Sequence, residues 1–286
     1  MKEKSWVCTL ITQLSLCVAV YIALNVGQPQ KYTHGKISNG GRPIDMYFIS
    51  VAGGFRPLEE QALLLQQMAK VAKIYKARFV VDITELGESD PLLQNAMKFP
   101  ELRNVPWYTT GASGRQGATY FLKKIKIPYR QTLDVIVLDT MLFQDVSSMH
   151  GNDQILWLTR TLNESNTDWR IVIGFHQLFS CDYNSWKMEE ENPFKHLHNI
   201  LLRYGVDAYI SMKTCAGVAM GLSDTAPMNK RLYLTAINQN FASKEETING
   251  FLLHQVSSLE MVTFIVKPTG EVDDEISFQQ RGRAVM

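Results

Sequence analysis

Tyr47-Phe48-Ile49-Ser50-Val51-Ala52-Gly53-Gly54 is a run of aromatic and β-branched residues that stops on a glycine pair. It has the length and composition of a buried strand ending in a tight turn. Behind it, Glu59–Tyr75 places Leu63, Gln66, Met68, Ala69, Ala72 and Ile74 at helical spacing, and Phe79–Ile83 then repeats the strand pattern. Strand, helix and strand in this order form a βαβ unit with parallel strands. Val135–Leu138, Ile171–Ile173 and Ala208–Ile210 are runs of the same kind, and the last two follow predicted helices near Asp153–Leu162 and Pro193–Tyr204. The C-terminal part changes character. Leu232–Ile237, Gly250–Ser257 and Met261–Val266 read as strands on short turns, which predicts an antiparallel meander. A mixed α/β domain follows, with two sheets and helices on the outside.

The chain has 286 residues, 45% hydrophobic and 20% charged, an ordinary globular balance. A formal charge of +1 leaves no basic footprint, so nucleic acid is not an expected partner. Trp6–Val26 contains no charged residue and is long enough to cross a hydrocarbon core as a helix. It exceeds the apolar region of a secretory signal, and Ala23-Leu24-Asn25-Val26-Gly27 is a poor cleavage site. The reading favours an uncleaved signal-anchor over a cleaved signal peptide. Residues 1–5 are then a tail, 6–26 a transmembrane segment, 27–43 a polar tether and 44–286 one domain. Such a protein is single-pass, in a secretory-pathway membrane, with its domain lumenal or extracellular. Cys8 and Cys17 fall in the span, and Cys181 and Cys215 are left in the domain. Asn163-Glu164-Ser165 is a glycosylation sequon at the end of a predicted helix.

In open α/β sheets, chemistry gathers past the C-terminal ends of parallel strands. Here those ends read Val51-Ala52-Gly53-Gly54, Thr84-Glu85-Leu86-Gly87, Gly174-Phe175-His176 and Ser211-Met212-Lys213-Thr214-Cys215. They have the shape of site-bearing loops with few groups able to do chemistry.

The order of these segments and their flanking text resemble purple acid phosphatases of the small, mammalian-like type, within the calcineurin-like metallophosphoesterases. The resemblance rests on Phe79-Val80-Val81 before Glu85, Pro106-Trp107-Tyr108 before a glycine loop, and Val137-Leu138-Asp139-Thr140. It continues through Trp169-Arg170-Ile171-Val172-Ile173-Gly174, Val206-Asp207-Ala208-Tyr209-Ile210, Gly250-Phe251 and Val256-Ser257-Ser258-Leu259-Glu260-Met261. It runs from about Ile44 to the C-terminus and departs where Gly111–Phe121 is short. It implies a four-layer sandwich: two mixed sheets flanked by helices, preceded here by the N-terminal transmembrane helix. It also implies two metal ions, which activate a hydroxide and neutralise phosphate charge.

Carried over position by position, the resemblance places the family's ligands on residues that mostly cannot serve. The first motif's aspartate falls on Ala52. The second motif's aspartate, asparagine and tyrosine fall on Glu85, Leu86 and Glu88. The third motif's Asn-His pair falls on Ala112 and Ser113. The fourth motif's histidine falls on Phe175, with His176 one residue late, and the fifth motif's histidines fall on Lys213 and Cys215. Alkyl and aryl groups donate nothing to a metal, an ammonium repels one, and a serine hydroxyl is a poor transition-metal ligand. The expectation is an inactive, membrane-anchored member of the family, without metal cofactors, acting through an unidentified protein partner. The alternative is a weak hydrolase with one metal held by Glu85, Glu88, His176 and Cys215. Lys213 is further expected near Glu85 or Glu88, supplying charge that a metal once supplied.

Overall fold

The computed structural model describes residues 12–17, 45–111, 120–144, 149–176, 178, 193–211, 233–235 and 250–280. The chain divides into two units, 1–39 and 40–286. In the first, residues 12–17 are helical, with Leu14 and Leu16 exposed. Among the described residues no helix is long and apolar enough to cross a membrane. The rest of the expected span, and all of the expected tether, lie outside them.

The second unit opens with strand β1 (Met46–Ala52), helix α1 (Leu58–Tyr75) and strand β2 (Val80–Ile83). Strands β1 and β2 are parallel, so the expected βαβ unit is present. α1 carries Glu59 and Glu60 in its first turn, where the helix dipole favours acids. It stops at Lys76, whose left-handed φ of 52° turns its N–H back to the Ala72 carbonyl. Short helices α2 (Pro91–Ala96) and α3 (Pro100–Arg103) lead to β3 (Trp107–Thr109). Then come β4 (Phe121–Lys126), β5 (Thr132–Val137), α4 (Met149–Glu164), β6 (Trp169–Ile173), α5 (Lys195–Arg203), β7 (Ala208–Ser211) and β8 (Tyr233–Thr235). The hairpin strands β9 (Phe251–Val256), β10 (Glu260–Val266) and β11 (Val272–Gln279) follow.

The strands form a six-stranded sheet, ordered β11-β10-β9-β1-β2-β3, and a five-stranded sheet, ordered β4-β5-β6-β7-β8. Both are mixed. The period of two sorts the five-stranded sheet's side chains. Val135, Val137, Ile171, Ile173, Ala208 and Ile210 enter the larger core together with residues of the six-stranded sheet. Ile136, Leu138, Val172 and Tyr209 point the other way and pack with Leu158 and Leu162 of α4 and Leu197 and Leu201 of α5. Buried α1 residues such as Leu64, Leu65 and Met68 also belong to the larger core. Trp169 at the head of β6 donates its indole N–H to the Ser257 carbonyl of the other sheet at 3.0 Å. The architecture is therefore two mixed sheets face to face with helices outside.

Two expectations need correction. The tail strands do not form one meander: β9, β10 and β11 are antiparallel in the first sheet, whereas β8 runs parallel to β7 at the edge of the second. Strand-like composition does not by itself say which sheet a strand joins. Strands β3, β4 and β11 were not predicted. β3 has only three residues and β4 alternates poorly because Lys123, Lys124 and Lys126 occupy it. Lysines on an exposed edge discourage pairing with other chains, which accounts for that composition.

One polar chain crosses the first sheet. His254 on β9 has no exposed surface and lies between the Ser50 hydroxyl at 2.7 Å and the Thr263 hydroxyl at 2.9 Å. Its ring also stacks on Phe48 at 4.3 Å. Burial lowers its pKa to about 3, so it is the neutral imidazole that fills this place.

Candidate functional site

The strand ends named from sequence collect at two loop clusters. At the first, Ala52 closes β1 and is buried. Gly53 donates its N–H to the Ile83 carbonyl at 2.9 Å, holding the β1 and β2 ends together. Gly54 has φ 102°, so the pair makes a tight turn of the kind glycine permits. Past β2, Thr84 exchanges hydrogen bonds with Thr110: the Thr84 N–H donates to Oγ1, which in turn donates to the Thr84 carbonyl, both at 2.9 Å. This pins the β3 end. Gly111 follows, and a Cβ there would stand 2.6 Å from the Glu85 carbonyl oxygen. Glu85, Leu86 and Glu88 are exposed, and neither acid makes a hydrogen bond or ion pair among the described residues. Ala112 and Ser113 lie outside those residues.

At the second cluster, Asp139 receives the Met141 N–H at 3.1 Å and caps the single turn Thr140–Phe143. Gly174 ends β6. Phe175 is half-buried and packs against the larger core, so an aromatic ring fills the place the resemblance gives to a ligand. His176 is held by its neighbours: Nδ1 lies 2.8 Å from the Thr140 hydroxyl, Nε2 lies 2.7 Å from the Gln144 amide, and Tyr209 donates to its carbonyl at 2.6 Å. Its ring stacks on Phe194. These bonds make His176 a tie between β6, the 140–143 turn and β7. Lys213, Cys215 and Cys181 lie outside the described residues, and with them the expected pairing of Lys213 to an acid.

Sequence reasoning missed a charged cluster beside the first loops. Val51 and Asp82 are partners across β1 and β2 and so share a face. Tyr47, on that face, meets Tyr75 of α1 at 5.0 Å, so Asp82 lies on the α1 side and Ala52 on the other. Asp82 and Asp90 have no exposed surface. Asp90 caps α2 and accepts three hydrogen bonds, from Leu92 N–H at 2.7 Å, Gly54 N–H at 2.6 Å and the Thr84 hydroxyl at 2.6 Å. Among the described residues neither Asp82 oxygen has a hydrogen-bond partner. Arg56 reaches in from the β1–α1 loop and donates to the Ala52 carbonyl at 2.6 Å, leaving its Nη1 unpaired. Burial lowers the Arg56 pKa, against the attraction of Asp82, Asp90 and Glu60. The signal was in the sequence: an acid inside Val80-Val81-Asp82-Ile83 must be a buried carboxyl if the strand is covered on both faces.

Among the described residues, those at the strand ends do not fit a paired metal centre. Ala52 and Phe175 carry no donor atom, and the histidine beside Phe175 is committed to Thr140 and Gln144. Among the described residues no three His, Cys, Asp or Glu side chains gather closely enough to hold a metal ion.

The sequon falls where it was expected, at the end of α4. Asn163 is exposed, but Ser165 is buried, with its hydroxyl 2.7 Å from Asp134, 2.8 Å from Thr167 and 3.1 Å from Arg170. Ser165→Ala should therefore cost about 1–2 kcal/mol in thermal or urea unfolding. Asn163→Gln should stay within about 0.5 kcal/mol, and is the variant to use for testing glycosylation by gel mobility.

No family model matches the chain, and no curated protein matches it. Solved structures do. GAP50, described as the anchor in the inner membrane complex of Plasmodium, superposes with a TM-score of 0.61 at 14% identity, over 84% of this chain and 90% of its own. PhoD superposes with a TM-score of 0.49 at 8% identity, over 85% of this chain and 71% of its own. Vps29 of Entamoeba histolytica gives 0.39 at 11% identity, over 82% of this chain and 100% of its own. Identities this low speak for architecture alone. The chain shares the fold of GAP50 over most of both lengths.

Proposed function

We propose that this chain is a catalytically inactive phosphoesterase-fold protein, held to a membrane by residues 6–26, that works by binding a protein partner. The observation that carries the reading is the pair of strand ends: a buried alanine closes β1 and a core-packed phenylalanine follows β6, where a two-metal hydrolase needs donors. The ties on His176 support it, since a neutral histidine bonded through both ring nitrogens has no lone pair to offer without giving up its bond to Gln144. Membrane attachment is supported by the uncharged stretch Trp6–Val26 and by the likeness to a protein described as a membrane-complex anchor. Full-length protein in detergent, supplied with zinc, iron or manganese, should hydrolyse an aryl phosphate no faster than buffer with the same metal. Turnover at an ordinary enzymatic rate, on the order of 1 per second or more, would refute the proposal.

A further inference from the structure

Asp82 and Asp90 have no part in that reading, yet they sit in a costly arrangement. A Cβ on Gly53 would stand 2.5 Å from an oxygen of each, so both acids crowd one point beside the backbone that only a glycine leaves uncovered. Two ionised carboxylates there would repel strongly, and such pairs keep a proton. The hydrogen bonds decide which acid holds it. Three donors converge on the Asp90 oxygens, whereas among the described residues nothing donates to either Asp82 oxygen. The charged groups around Asp82 are Arg56 from the β1–α1 loop and Asp90 at the start of α2, with Glu60 of α1 acting on Arg56. β1 contributes only Val51 beside it. Among the described residues Arg56 makes no ion pair with either acid.

We propose that Asp82 and Asp90 form a proton-dependent latch on the loop that rims the candidate site. While Asp82 keeps its proton, Asp90 ties the Gly54 N–H, Thr84 and the head of α2 into one unit. Loss of the proton sets a second charge against Asp90 and loosens the Gly53–Leu58 loop. That loop carries Phe55 and leads into Leu58 at the head of α1, 84% and 77% exposed, so the latch governs how firmly an apolar rim is presented.

The direction with pH follows. Burial pushes the Asp82 carboxyl well above the usual range, Asp90 adds to the rise, and Arg56 offsets part of it. The closed loop thus gains most below the ordinary carboxylate value, loses that gain as pH climbs towards the raised value, and is level above it.

Amide hydrogen exchange on the full chain, from about pH 4 to pH 9, reads this directly. In the wild type, protection factors at Gly54 and Leu92, whose N–H groups both bond Asp90, should fall by up to about tenfold per pH unit through that window. In Asp82→Asn they should follow pH only as the rest of the chain does; His254 acts equally in both chains and cancels. Arg56→Met should carry the decline to higher pH. If Asp82→Asn does not fold, Asp82→Leu serves as the untitratable chain, and the wild-type series still stands against the amides of α4 and α5 as an internal standard. Equal pH dependence at these two amides in wild type and variant overturns the latch, and so does a wild-type decline no steeper than that of the α4 and α5 amides.

Discussion

Taken from pH 7 to pH 4, the wild type should lose on the order of 3 kcal/mol of stability relative to His254→Gln. His254 titrates near 3 in the folded chain, because a charge there would stand in the core without water. In the unfolded chain it titrates near its ordinary 6.5. A lowered folded value means that the stability is whole above 6.5 and drains as pH falls towards 3. His254→Gln should be the less stable chain at neutral pH, since it loses the ring stacked on Phe48. Its stability should depend less on acid, so the gap between the two chains closes as pH falls. Urea unfolding at several pH values measures this. A constant gap would show that the imidazole is already charged, or wet, in the native state.

Gly53→Ala should destabilise the domain by about 3 kcal/mol, the upper end for forcing a methyl group into a filled space. For a domain of this size that is a fall in melting temperature of roughly 6–12 °C. The new Cβ would meet carboxyl oxygens of Asp82 and Asp90 at 2.5 Å and the Thr84 Cβ at 2.7 Å. None can retreat freely, because Asp90 and Thr84 are hydrogen-bonded into the loop and Asp82 is enclosed. Gly54→Ala is the matching control. It meets nothing within 4 Å and suffers only its φ of 102°, so its cost should be smaller, about 1–2 kcal/mol. If Gly54→Ala proved the worse of the two, the crowding of Asp82, Asp90 and Thr84 around Gly53 would not be as described.

The parts of the fold that could be read from sequence are those where one residue type dominates a whole element. β1, α1 and β2 announce themselves because Tyr47–Val51 and Phe79–Ile83 are apolar on both faces and Glu59–Tyr75 is apolar on one. β4 hides because lysines blunt its open edge, and β8 misleads because composition cannot say which sheet a strand joins. The site is legible for similar reasons and opaque for others. Ala52 and Phe175 could be recognised as non-donors from their identity alone, and the structure adds that both are packed. Nothing in the sequence around His176 shows that Thr140 and Gln144 would occupy both ring nitrogens, since those partners are 36 and 32 positions away. The Asp82–Asp90–Arg56 cluster was concealed within a strand that reads as core. Single polar residues in apolar runs can mark buried polar clusters, and His254 after Leu252-Leu253 is a second instance.

Anomalous scattering from crystals of the chain grown with manganese or zinc bears most directly on the proposal that the chain holds no metal pair. The loops that follow β1, β2, β6 and β7 should show no anomalous peak, with the Phe175 ring against the core and His176 still bonded to Thr140 and Gln144. Two strong peaks there, about 3.5–4 Å apart as in two-metal hydrolases, would contradict the account.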